Sequence, residues 1–79
     1  MPQEKLDLLR LQKPIRDEMN DLLRALNAAS TREDLEAERA LQIESIQTLE
    51  STRKLRSADA EALFIIFDDA VEARLENLP

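Results

Sequence analysis

Apolar residues recur on a helical period through the first third of the chain. Leu8, Leu11, Ile15, Met19, Leu22 and Leu26 span 18 positions in five steps, a mean of 3.6, which is the α-helical repeat. Leu6, Leu9 and Leu23 widen the stripe. The phase passes through Pro14 unbroken, so the pattern predicts one helix over about 3–28, kinked where the ring removes a backbone hydrogen bond. The alternative is two pieces, with Pro14 in the first turn of the second. Asn27-Ala-Ala-Ser30 breaks the stripe, and Ser30 with Glu33 has the spacing of a capping box. Glu33, Asp34 and Glu36 follow, with Arg53, Lys54 and Arg56 further on, as the helix dipole favours. A second helix is therefore predicted over about 31–55. Ser57 as cap, with Asp59 and Glu61 behind it, opens a third over about 58–77, stopping before Pro79. Its stripe is Ala60, Leu63, Phe64, Phe67, Ala70, Val71, Leu75 and Leu78. Loops of two or three residues make neighbouring helices antiparallel. The expected fold is all-α, one three-helix domain over residues 1–79.

Two faces carry more apolar surface than a lone three-helix domain can cover. On the second helix Leu35, Ile46 and Leu49 centre one arc, shared with Arg39, Gln42 and Arg53. The opposite arc holds Ala37, Leu41, Ser45, Thr48, Ser51 and Leu55, small or apolar rather than charged. A helix polar on neither side belongs in the middle of a domain or under a second chain. On the third helix Leu63-Phe-Ile-Ile-Phe67 covers the whole circumference, and Ile65 and Ile66 point off the main stripe. Burying such a side chain is worth about 1.5–3 kcal/mol, a large share of the stability of so small a domain. Leu41, Leu55, Ile65 and Ile66 are accordingly the expected contacts with another protein or with a second copy of this one.

Composition narrows the chemistry. The 79 residues include no Gly, Cys, His, Trp or Tyr. That removes thiol and imidazole catalysis, disulfides, Cys/His zinc sites and glycine-rich phosphate loops. No cofactor or metal is expected, and no catalytic residue is assigned. Asp68, Asp69 and Glu72 have no metal-site spacing and form the solvated back of the third helix. No apolar run reaches the roughly 18–20 residues of a membrane span, and no signal pattern opens the chain, so the expected location is the cytoplasm. Asp and Glu number 17 against 11 Lys and Arg, a net charge of −6, which argues against direct binding of nucleic acid or anionic membrane. Most of the excess lies in residues 30–50 and 57–79, so an acidic surface mimicking nucleic acid is one alternative function.

Arginines are the remaining candidates for ligand binding. Arg39 and Arg53 on an apolar arc can hold a carboxylate or phosphate; the structural explanation is snorkelling or pairing with Glu36, Glu38 and Glu50. Arg74 on the third stripe is expected to pair with Glu38 or another acid. Glu38-Arg39, Leu63-Phe64 and Asp68 resemble the second and third helices of the all-helical chorismate mutases, and Leu6-Asp-Leu-Leu-Arg10 resembles the opening of their first. That resemblance implies substrate-binding roles for Arg10 and Arg39. The family's long first helix has no counterpart, because Asn27 to Thr31 interrupts it. The expected function is a non-enzymatic helical interaction module acting through an apolar helix surface. The alternatives are a small chorismate-mutase-like enzyme, with Arg10, Arg39 and further cations converging on one cavity, and the acidic mimic.

Overall fold

Ile15, Met19, Leu23 and Leu26, spaced by 4, 4 and 3, turn one apolar edge inward and make residues Lys13–Ala28 a helix, α2. A computed structural model describes residues 2–78 of the protein, and the side chains of residues 4–78. Before α2 stands a separate short helix, α1 (Pro2–Leu8); after it come α3 (Arg32–Ser51) and α4 (Ser57–Asn77). All four are α-helices, and no strand occurs among the described residues.

The single kinked first helix is thus resolved into two. Arg10 takes a left-handed φ of 54°, and its N–H reaches back to the Asp7 carbonyl at 3.3 Å, closing α1. Pro14 falls in the first turn of α2, where its missing N–H is no loss. The unbroken 3.6 phase across this turn is a coincidence of spacing. Among the described side chains of α1 Leu6 is the buried one, and Leu8, which continues the stripe on paper, is 78% exposed. Seven residues are too few for a helix to persist alone. Leu6 in the core and the Lys5 Nζ–Asp69 Oδ2 ion pair at 3.5 Å fasten α1 to α4.

Two other boundaries move. Thr31, not Ser30, caps α3: its Oγ1 accepts from Asp34 N at 3.1 Å. At the far end α3 stops at Ser51, four residues before the predicted end. Arg53, at φ 62°, occupies the left-handed position after the cap. Arg53 N donates to Glu50 O at 3.1 Å and Lys54 N to Leu49 O at 2.9 Å, the paired bonds of a Schellman ending. Both left-handed residues are arginines, in a chain that has no glycine. Pro79 lies outside the described residues.

The α2–α3 and α3–α4 pairs run antiparallel. Ala25 and Ala28 near the end of α2 line one depression with Ala37 near the start of α3, and Leu35 lines a groove with Val71 and Leu75. It follows that α2 and α4 are parallel, with their N-termini at one end. The core is Leu6, Ile15, Met19, Leu23, Leu26, Leu35, Ile46, Leu63, Phe67 and smaller neighbours. A radius of gyration of 12.1 Å matches the roughly 12 Å of a compact chain of this length. Arg74 serves this packing rather than pairing with an acid: its Nε donates to Ala29 O at 2.8 Å, clamping the end of α4 to the C-terminus of α2.

Candidate functional site

The four residues expected at a partner surface divide evenly. Leu55 is buried in the turn between α3 and α4, and Ile66 is only 5% exposed. Ile66 stands one turn before Asp69, the partner of Lys5. Phe64, expected in the core, is half-buried instead. Leu41 and Ile65 remain 52% and 62% exposed. They lie on different helices and do not share a depression.

Leu41 has the richer surroundings. Two depressions follow one another along the same side of α3, in the outer groove between α2 and α3. The first is lined by Ala25, Ala28, Ala29, Asp34, Ala37 and Glu38. The second is lined by Glu18, Leu41, Glu44, Ser45, Thr48, Leu49 and Lys54. The uncharged arc of α3 contributes Ala37 to the first and Leu41, Ser45 and Thr48 to the second, beside the acids Asp34, Glu38 and Glu44. Small side chains on each wall keep the groove open, and Leu41 stands in its middle. Its charged lining is Glu18, Asp34, Glu38 and Glu44 against Lys54 alone. Asp34 to Thr48 covers about 21 Å of helix axis.

The candidate arginines do not come together. Arg39 Nη2 lies 3.6 Å from Asp68 Oδ1 across the α3–α4 contact, both side chains about half exposed. It shares a groove with Arg32, Leu35, Glu36, Val71 and Leu75. Arg10 lines another cavity, at the end of the molecule where the α1–α2 and α3–α4 turns meet, with Lys54, Arg56 and Asp59. Arg53, expected beside Arg39 on the α3 arc, lies beyond the end of that helix and is exposed. Sequence reasoning missed Lys54 and Arg56 as neighbours of Arg10, since only the helix break between Leu8 and Lys13 folds Arg10 towards them.

Gln42 is the polar residue, among the described ones, that the fold buries as it does an apolar side chain. It is 1% exposed in the middle of α3, and its Nε2 has no hydrogen-bond partner. Among the described residues no group of three or more carboxylates is placed to hold a metal ion. No described helix is long and apolar enough to cross a membrane. Comparison with protein-family models, curated proteins and solved structures finds no match to this chain.

Proposed function

We propose that the protein is a non-enzymatic docking module that receives a helix of another protein in the α2–α3 groove, acting in the cytoplasm. The observation that carries this reading is Leu41, half exposed in the middle of a groove walled by Ala25, Ala28, Ala37 and Ser45. Small walls let a second helix axis approach closely, and an apolar residue at the centre gives it something to bury. Four carboxylates against one lysine make the fitting partner an amphipathic helix with an apolar stripe flanked by Lys or Arg. A second copy of this chain fits this groove poorly, because a symmetric pairing sets Glu18, Glu38 and Glu44 against their own equivalents. An arginine-based enzyme draws no support from cavities that separate Arg10 from Arg39.

The test is a titration of isotope-labelled protein with a designed helical peptide, Leu and Ala on one face and Lys on its flanks. Amide shifts should gather on Ala25, Ala28, Ala37, Leu41, Ser45 and Thr48. Leu41→Asp should weaken binding by about tenfold or more, since it places a charge in a desolvated contact, whereas Ile65→Asp should leave it within about twofold. Shifts spread over the acids of α4, or indifferent to Leu41→Asp, refute the groove.

A further inference from the structure

At the opposite extreme of charge from the groove, one end of the molecule is basic. We propose that the cavity there binds a phosphate monoester carrying a small apolar body. Its volume is about 310 Å³, within the range of small-molecule sites. Leu9, Leu11, Ile15 and Leu55 supply apolar wall, with Ile15 and Leu55 buried beneath it. Arg10, Lys54 and Arg56 stand around it with a single acid, Asp59. Arg56 Nε is 3.5 Å from Asp59 Oδ2. Arg10 and Lys54 have no ion pair or side-chain hydrogen bond among the described residues. In a chain of net charge −6, three cations gathered about one hollow with one carboxylate are mutually repelled, and a doubly charged anion restores the balance.

Backbone dipoles point the same way. Gln12 and Arg56 are the residues just before α2 and α4, neither caps its helix with a side chain, and both line this cavity. Two parallel helices of 16 and 21 residues therefore open their positive ends on it. The planar guanidinium of Arg10 suits paired phosphate oxygens, Lys54 adds a point charge, and Arg56, held by Asp59, adds a second charge at the rim. This site is separate from the α2–α3 groove and shares one lining residue with it, Lys54.

The experiment uses inorganic phosphate, phenyl phosphate and benzoate as probes, followed by amide shifts at constant ionic strength. Phenyl phosphate is expected to bind about tenfold or more tightly than inorganic phosphate, because its ring covers the apolar wall. Benzoate, with one charge, should bind more weakly than phenyl phosphate. Shifts should centre on Lys13, Ile15, Ser57, Ala58 and Asp59. Arg10→Gln and Lys54→Gln should each weaken phenyl phosphate by about tenfold. Arg16→Gln, an equal charge change on an exposed face of α2, should stay within about twofold. Equal losses in all three variants reduce the effect to net charge and overturn the site. Equal affinity for phosphate and phenyl phosphate overturns the apolar half of the proposal, and benzoate matching phenyl phosphate overturns the phosphate head.

Discussion

Replacing Gln42 with methionine should make the protein more stable. The amide is 1% exposed, and its Nε2 finds no acceptor. An unpaired buried donor costs about 1–3 kcal/mol by the measure of protein substitutions. Methionine has nearly the same length, the same unbranched stem and a similar helix propensity, so neither shape nor backbone preference offsets the change. The expected gain is about 1–2 kcal/mol. For a domain of this size that raises the midpoint of thermal unfolding by roughly 4–16 °C. Urea denaturation followed by circular dichroism gives the free energy directly, with the slope m unchanged if only the native state is affected. Gln47→Met, on the exposed side of the same helix, is the control and should stay within about 0.5 kcal/mol. If Gln42→Met is neutral or destabilising while the control behaves, the amide is satisfied in solution and the cost assigned to it is wrong.

Arg74→Met should lose about 1.5–3 kcal/mol, the worth of a charged donor on the Ala29 carbonyl, measurable by the same urea titration. Pro14→Ala should destabilise by about 0.4–1 kcal/mol, because a proline in the first turn of α2 breaks no hydrogen bond and only restrains the unfolded chain; a gain would restore the continuous first helix. Ile66→Glu should unfold the isolated protein as Phe67→Ala does, at about 3–5 kcal/mol for the latter, while Ile65→Glu should leave helicity intact by circular dichroism.

The sequence carried the helical class, the antiparallel order and most of the core, because those depend on period and on short loops. What it concealed followed from one substitution of means. Helix ends are usually announced by glycine, and here two of them are made by Arg10 and Arg53, residues that read as good helix formers. Without that signal α1 and α2 fused on paper, and α3 ran four residues too far. The exposed centre of the α2–α3 groove was legible, since an uncharged arc opposite a core arc shows in the spacing of Ala37, Leu41, Ser45 and Thr48. The gathering of Arg10, Lys54 and Arg56 was not, because it joins residues more than 40 positions apart through two turns.

Those two arginine turns give a prediction whose sign is unusual. In a helix interior Ala is more stable than Gly by about 1 kcal/mol, through backbone entropy. At a positive φ the order reverses, since any Cβ crowds the following carbonyl at a cost of about 1–2 kcal/mol. Comparing Arg→Gly with Arg→Ala at one position removes the charge in both and leaves only the backbone term. Gly should therefore exceed Ala by about 1 kcal/mol at Arg10 and again at Arg53, where φ is 54° and 62°. Urea titration of the four variants decides it, and Ala exceeding Gly at either position would mean that the turn is not left-handed there. The same variants separate stability from binding. Arg10 lines the basic cavity and Arg53 does not. Both Arg10 variants should lose phenyl phosphate to the same extent despite their different stabilities, and both Arg53 variants should keep it. A left-handed arginine at position 10 is then a strained choice that glycine would relieve, at a residue that lines the cavity. If Arg10→Gly is more stable and binds as well as the natural chain, the strain has no such use and Arg10 is only a turn residue.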